Sequence, residues 1–224
     1  SLNMKIAIVK LSALGDIIHA MVALQFIKRK YPDCQIDWIV EEGFKGILEN
    51  NPDIDKIHTV NLKKAKQQKS LKLLFKEFKK IRQFGRYDLV IDAQGLIKSA
   101  IVAKFIQSKK ISGFDKNSIR ESLASVLYQY KTSIAYDANT IDRNVKVICN
   151  PLGLEISSDA IINKQPFLFS KSEILSPSKP YALFVIGSTW GSRNYPKEKF
   201  VQVAQSLKMN FLVVWGNIPE KIKA

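Results

Sequence analysis

A single aspartate stands early in this chain at a spacing that suits acid–base chemistry. The apolar run MKIAIV, residues 4–9, is followed by KLSALGDIIHAM, residues 10–21, which predicts a strand, a tight loop and an amphipathic helix. Asp16 falls at the start of that helix, where the helix dipole keeps a carboxylate ionised and able to accept the proton of an attacking hydroxyl. An aspartate there can also cap the helix by accepting free backbone N–H groups. The sequence leaves both roles open for Asp16.

Two later loops also place polar side chains directly after apolar runs. In DAQGLIKSA, residues 92–100, Gln94 and Lys98 are candidates to hold hydroxyls and an anion. In NSIRES, residues 117–122, the planar guanidinium of Arg120 suits a carboxylate or a phosphate. Both loops also fit plainer roles, a turn that opens a helix and an arginine in a surface ion pair.

A fourth loop lies near the end of the chain. In GSTWGSRNYP, residues 187–196, Ser188, Thr189 and Arg193 follow an apolar run. Hydroxyls, loop amides and an arginine together make a cradle for a diphosphate. Taken alone, this pattern is a weak signal.

Other kinds of site are absent from the sequence. It contains no G-x-G-x-x-G dinucleotide fingerprint, no G-x-x-x-x-G-K-[ST] phosphate loop and no H-E-x-x-H pair. The two histidines, His19 and His58, are too few for a metal centre, so no metal site is expected. Cys34 and Cys149 form no metal-type spacing and no disulfide framework, which favours a reducing cytoplasm.

These candidate residues need a scaffold, and short apolar runs alternate with helical patterns along the chain. The predicted strands are residues 5–9, 35–40, 54–60, 87–94 and 110–114. The predicted helices are one from residue 17 to near Pro32 and those at 61–82, 95–107, 118–130 and 140–152. This alternation predicts an α/β fold, a Rossmann-like parallel sheet with helices on both faces. Ligands of such sheets bind beyond the carboxyl ends of the strands, where the candidate loops lie.

The composition changes after about residue 155, which predicts two domains. Residues 1–155 form the first, and residues 156–180, rich in Ser, Pro and Lys, read as a linker. Residues 181–224 show the patterns of a strand, a loop, a helix and a second strand, in that order. Because two strands and one helix cannot bury both faces of a sheet, we interpret them as the start of a second Rossmann-like domain.

The net charge of +15 favours anionic partners. Residues 61–82 contain eight lysines and one arginine against one glutamate, with apolar residues at helical spacing. This segment fits a solvated helix face with a buried stripe, or a basic surface against an anionic membrane. No nucleic-acid-binding motif accompanies it, so nucleic acid is not expected as a partner.

Four segments, taken in order, resemble the ADP-heptose:lipopolysaccharide heptosyltransferase family, most closely its heptosyltransferase I members. They are KIAIVKLSALGDIIHAM (5–21), IDWIVEEGF (36–44), YDLVIDAQGLIKSA (87–100) and RESLASVLY (120–128). The resemblance implies a two-domain GT-B glycosyltransferase that transfers L-glycero-D-manno-heptose from ADP-L-glycero-D-manno-heptose, with inversion. The implied acceptor is the 3-deoxy-octulosonic acid (Kdo) of Kdo–lipid A, at the cytoplasmic face of the bacterial inner membrane. No cofactor is implied, and the need for Mg²⁺ stays open.

The same resemblance assigns roles to individual residues. Asp16 becomes the base for the Kdo hydroxyl. The acceptor site draws on Ser12, Lys63, Lys64 and Arg120, with Gln94 and Lys98 beside them. The donor site draws on Gly15, Ser188, Thr189 and Arg193. The family's D-T-G-x-x-H donor loop does not occur before Ala224, so we expect little or no turnover from this chain alone.

Two rival functions remain open from the sequence. Heptosyltransferase II, or another ADP-heptose enzyme, would differ only in its acceptor. A basic module that binds nucleic acid or a membrane surface without chemistry would belong to a different class.

Overall fold

The computed structural model describes residues 3–171, 178–185, 195–207 and 209–214. The chain forms two compact units, Ser1–Lys171 and Ser172–Ala224. Of the predicted linker, the part up to Lys171 belongs to the first unit. Gln165 there donates its backbone N–H to Oε1 of Gln25 at 2.9 Å and accepts from Nε2 of the same side chain at 3.1 Å.

The first unit contains one six-stranded sheet in which all strand pairs are parallel. The strands are β1 (Lys5–Val9), β2 (Gln35–Glu41), β3 (Lys56–Val60), β4 (Arg86–Asp92), β5 (Gln107–Phe114) and β6 (Tyr130–Thr132). Their order is β3-β2-β1-β4-β5-β6. This is the Rossmann strand order, so the prediction of a parallel sheet is confirmed. The order reverses between β1 and β4, where ligands of such sheets bind.

Seven α-helices accompany the strands in the described part of the first unit. They are α1 (Leu14–Met21), α2 (Ala23–Lys30), α3 (Leu62–Gln67), α4 (Leu71–Ile81), α5 (Ile97–Phe105), α6 (Thr140–Cys149) and α7 (Ser158–Ile162). Helices α1 and α2 both pack against α6, whereas α4 packs against α5. The crossovers β1 to β2 and β3 to β4 step in opposite directions, so right-handed connections put α1 and α4 on opposite faces.

Two predicted helices differ from the structure. The basic helix predicted over 61–82 is two helices, α3 and α4, because the chain turns at Lys69 with a φ of +47°. Ser70 then caps α4 by accepting the backbone N–H of Leu73 at 3.1 Å. A second break, at Val22, divides the helix predicted from residue 17 to near Pro32 into α1 and α2.

The helix predicted over 118–130 was wrong. Ser122–Leu127 is a short 3-10 helix, and the chain then enters β6, which the sequence analysis missed. Gln129 brings the chain to the sheet edge, because its backbone N–H bonds the carbonyl of Ile111 at 2.9 Å and its Oε1 accepts the N–H of Ile111 at 2.8 Å. This long-range pairing outweighs the local helical pattern.

The described part of the second unit is a strand, a helix and a strand, as predicted. They are β7 (Tyr181–Val185), α8 (Lys197–Ser206) and β8 (Asn210–Val214), and the two strands pair in parallel. Phe184 lies between Phe200 and Phe211, with ring centroids at 5.4 and 5.8 Å. Across the described residues of both units, no helix has the length and apolar character needed to cross a membrane.

Candidate active site at the carboxyl edge of the sheet

Asp16 lies in the first turn of α1, and the loop of residues 10–13 connects this helix to the carboxyl end of β1. Its Oδ2 accepts the backbone N–H of Ala13 at 3.3 Å. Ala13 is the N-cap residue and has no side-chain oxygen, so Asp16 supplies the capping contact from the third helical position. The residue is exposed all the same. Capping therefore coexists with access to solvent.

The loop before α1 is held by the turn that follows β4. Lys10 is buried, and its Nζ donates to the carbonyl of Ala93 at 3.0 Å. The backbone N–H of Leu11 donates to Oε1 of Gln94 at 3.1 Å, and that of Ser12 reaches the same oxygen at 3.4 Å. The side chains of Lys10 and Gln94 therefore connect the loop that leads to Asp16 with the turn after β4.

A buried carboxylate organises that turn. Asp92 ends β4 and is fully buried. Its Oδ1 accepts the backbone N–H groups of Gln94 at 3.0 Å and of Gly95 at 3.3 Å. Its Oδ2 accepts the hydroxyls of Ser99, at 3.0 Å, and of Tyr128. Burial raises the pKa of Asp92, and these hydrogen bonds reduce that rise without cancelling it.

Two charged residues at this edge, Lys10 and Glu41, received no role in the sequence analysis. Burial lowers the pKa of the Lys10 ammonium, and the carboxylates of Asp16 and Asp92 oppose that shift. Glu41 ends β2, and its Oε1 is buried without a hydrogen-bond partner among the described residues. Burial raises the pKa of Glu41, and the charge of Lys98 opposes it. The sequence feature that could have identified both residues is a charged residue at the end of a buried apolar run.

Four exposed cations follow three other strands of the same sheet. Lys63 and Lys64 lie in the first turn of α3, after β3, and Lys98 lies in the first turn of α5, after β4. Arg120 follows β5 and forms no ion pair among the described residues. Its neighbour Glu121 instead accepts the backbone N–H of Ile97 at 3.2 Å. Because parallel strands share a carboxyl edge, these cations stand at the edge that carries Asp16.

Of the residues expected at the donor site, the structure describes only Gly15. Gly15 is the second residue of α1, and apart from its chain neighbours and the backbone of its own helix no heavy atom of the described residues lies within 4 Å of the point where a Cβ would stand. Ser188, Thr189 and Arg193 lie outside the described residues. Within the residues that the structure does describe, no three His, Cys, Asp or Glu side chains are grouped to hold a metal ion.

Comparison with known proteins decides the family. Residues 74–220 match the model of glycosyltransferase family 9 (heptosyltransferase). This chain belongs to glycosyltransferase family 9. The resemblance drawn from the four sequence segments is thereby confirmed.

Two relatives of this family 9 chain match over nearly its whole length. Lipopolysaccharide heptosyltransferase 1 of Campylobacter coli is 38% identical, in a match that covers 97% of this chain and 66% of the relative. The Pseudomonas aeruginosa protein of that name is 29% identical, in a match that covers 99% of this chain and 63% of the relative. The chain therefore spans somewhat less than two thirds of these relatives' length.

A solved structure shares the fold of the family 9 chain. Escherichia coli heptosyltransferase WaaC with ADP superposes with a TM-score of 0.81 at 27% identity, over 99% of this chain and 71% of that one. WaaC with ADP-2-deoxy-2-fluoro heptose gives 0.82 at the same identity. These matches and the strand order confirm the predicted Rossmann-like fold of the GT-B heptosyltransferases.

Proposed function

We propose that this protein is a lipopolysaccharide heptosyltransferase I, which transfers L-glycero-D-manno-heptose from ADP-heptose to the Kdo of Kdo–lipid A. The observation that carries the proposal is the exposed carboxylate of Asp16, at the point where the strand order reverses between β1 and β4. Relatives named lipopolysaccharide heptosyltransferase 1, and a structural relative solved with an ADP-heptose analogue, support this substrate class.

The chemistry needs one base and one leaving group. A hydroxyl of the acceptor Kdo attacks the anomeric carbon of the heptose while its proton passes to the carboxylate of Asp16. The bond from that carbon to the diphosphate breaks, and ADP leaves with the bonding electron pair. A single displacement inverts the anomeric configuration and needs no covalent intermediate. The proton then passes from Asp16 to solvent, because the residue is exposed.

Cations at the same edge suit both substrates. Lys63, Lys64, Lys98 and Arg120 are exposed, and they offer charge to the carboxylate of Kdo and the phosphates of lipid A. Beside Asp16, the open space at Gly15 would admit the donor sugar. The donor diphosphate would be held by Ser188, Thr189 and Arg193.

The proposed acceptor is a membrane lipid, so the enzyme would work as a peripheral protein on the cytoplasmic face of the inner membrane. Helix α4 supports this, because Leu71 and Phe75 are 82% and 77% exposed, one turn apart, beside the exposed Lys72 and Lys76. Apolar residues among cations suit an anionic bilayer surface. Helix α5 packs beside α4, and the 3-10 helix Ser122–Leu127 packs against α5. The exposed large apolar residues of these two helices are Ile97, Phe105, Leu123 and Val126.

Heptose transfer can be tested directly. The full-length protein is incubated with ADP-heptose and Kdo–lipid A, and the lipid is analysed by mass spectrometry. We expect the mass of one heptose residue to be added. An acceptor that already carries one heptose should stay unmodified, and its modification in place of Kdo–lipid A would point to a heptosyltransferase II and overturn the proposed acceptor.

A further inference from the structure

We propose that Gln94 is a positioning residue of the transfer reaction: its side-chain oxygen holds the loop that leads to Asp16, and Asp92 holds Gln94 in place. The sequence analysis expected Gln94 to contact the acceptor instead. The effect on the reaction rests on the proposed function, but the hold on the loop can be measured without substrates.

The first step is the contact between the two loops. Oε1 of Gln94 accepts the backbone N–H of Leu11 at 3.1 Å and that of Ser12 at 3.4 Å. The ladder between β1 and β4 ends just before, where the N–H of Ala93 donates to Val9 at 3.0 Å. Beyond that bond the segments that follow β1 and β4 diverge. The backbone N–H groups of Leu11 and Ser12 therefore need another acceptor. The side-chain oxygen of Gln94 takes the place of the backbone carbonyls that a longer β4 would have offered to Leu11 and Ser12.

The second step is what fixes Gln94. Oδ1 of Asp92 accepts the backbone N–H groups of Gln94 and Gly95, and Gly95 has a φ of +73°. These two bonds restrict the backbone conformation of the turn. Oδ2 of the same carboxylate is held by the hydroxyls of Ser99 and Tyr128. All of these groups act on the turn that carries Gln94, and they do so from within the buried interior.

The third step links the loop to the reacting group. Ala13, the residue after Ser12, donates the N–H that Asp16 accepts. If Leu11 and Ser12 lost their bonds to Gln94, the backbone N–H of Ala13 that binds the Asp16 carboxylate would therefore move with the loop. Because a displacement of about 1 Å can cost on the order of 100-fold in rate, the hold on this loop acts on kcat.

The test compares two substitutions of Gln94 whose side chains are similar in length to that of glutamine. Gln94→Glu keeps an oxygen for the two N–H groups and removes the side-chain N–H₂ donor, whereas Gln94→Met removes the acceptor. Amide hydrogen exchange is read at Leu11 and Ser12. We expect Gln94→Met to speed exchange at both amides by about tenfold or more, as expected for a lost hydrogen bond of about 1.4 kcal/mol. Gln94→Glu should keep the protection. Unchanged exchange in Gln94→Met would overturn the proposal.

Kinetics of the same variants separate positioning from acceptor binding. Positioning predicts that Gln94→Met lowers kcat by about 10- to 100-fold with little change in KM for the acceptor, and that Gln94→Glu loses much less. A direct contact predicts that both variants raise the acceptor KM and leave kcat close to that of the unsubstituted protein; this result would overturn the proposal. If no heptose transfer is found in the unsubstituted protein, the exchange result still decides whether Gln94 holds the loop.

A second substitution acts from the far end of the network, away from the substrate side. Tyr128→Phe removes one of the hydroxyls that hold Asp92, and we expect faster exchange at Leu11 and Ser12, by a smaller factor than in Gln94→Met. Tyr130→Phe is the matched control, since the Tyr130 hydroxyl bonds Asn150 and not Asp92. Equal exchange in the two tyrosine variants would contradict the role given to Asp92.

Discussion

A carboxylate oxygen of Asp16 accepts the backbone N–H of Ala13 at 3.3 Å, although the residue is exposed. Capping and catalysis by this side chain can be separated with Asp16→Asn, since an amide oxygen still caps the helix but no longer takes up a proton. We expect heptose transfer to fall by about 10²- to 10⁴-fold. The free energy of unfolding should change by less than about 1 kcal/mol.

The control for Asp16→Asn is Asp159→Asn, since Asp159 is also an exposed aspartate in a first helical turn. Transfer and stability should both be unchanged there. Near-normal transfer by Asp16→Asn would leave Asp16 as a helix cap only.

Gly15 offers a test of the donor site that is free of steric strain. Because an added Cβ would meet no atom within 4 Å beyond its chain neighbours and its own helix backbone, Gly15→Ala should raise the free energy of unfolding by up to about 1 kcal/mol. If the donor sugar approaches this backbone, KM for ADP-heptose should rise by about tenfold or more, which corresponds to about 1.4 kcal/mol. Thermal unfolding and donor kinetics measure the two effects, and an unchanged KM would remove Gly15 from the donor site.

A contrasting glycine variant sets the scale for steric strain. In Gly113→Ala the new Cβ would stand 2.4 Å from the ring of Tyr128. We expect a loss of about 1–3 kcal/mol in the free energy of unfolding, typical of an overpacked interior. A gain of stability here would mean that the Tyr128 ring can move aside.

Membrane attachment through α4 predicts a localised effect. Leu71→Glu and Phe75→Glu should each weaken binding to vesicles containing anionic phospholipid by about 10- to 100-fold, because burial of such a side chain contributes about 1.5–3 kcal/mol. Added salt should weaken binding of the unsubstituted protein as well. Co-sedimentation measures both effects.

Ile162→Glu is the matched control for the vesicle experiment, since Ile162 is 74% exposed and lies on α7. Binding should be kept in this variant. Equal losses in the α4 and α7 variants would speak against a specific contact face.

The two buried thiols predict a dependence of stability on alkaline pH. Burial raises the pKa of Cys34 to about 11 and that of Cys149 to about 12. A thiol whose pKa is raised in the folded state holds its proton longer than in the unfolded chain, so its contribution is complete below about pH 8.5 and is lost as pH rises toward 11 or 12. Denaturant unfolding at pH 8 and pH 10.5 should show a smaller loss in Cys149→Ala than in the unsubstituted protein. An equal loss would mean that Cys149 does not titrate in this range.

Asp16 and Gln94 show how far sequence reasoning reached at the candidate site. Both were selected because each follows a buried strand, and parallel strands bring such positions to one edge. The capping contact of Asp16 was one of the two roles that the sequence left open, whereas the contact of Gln94 could not be predicted. Gln94 meets Leu11 across 83 positions of the chain, and only the pairing of β1 with β4 creates that contact.

In the fold, the sequence by itself determined the strands β1, β2 and β4 and the alternation with helices, because hydrophobic periodicity is a property of neighbouring residues. It also determined that Asp16 begins a helix. Only the tertiary structure decided that residues 118–130 form a 3-10 helix and the start of a strand, since Gln129 bonds Ile111 of the neighbouring strand β5. It likewise decided that Gln94 turns toward the loop before Asp16. Backbone groups at the end of a strand take whichever acceptor the packed neighbours bring within reach, and no local pattern records that choice.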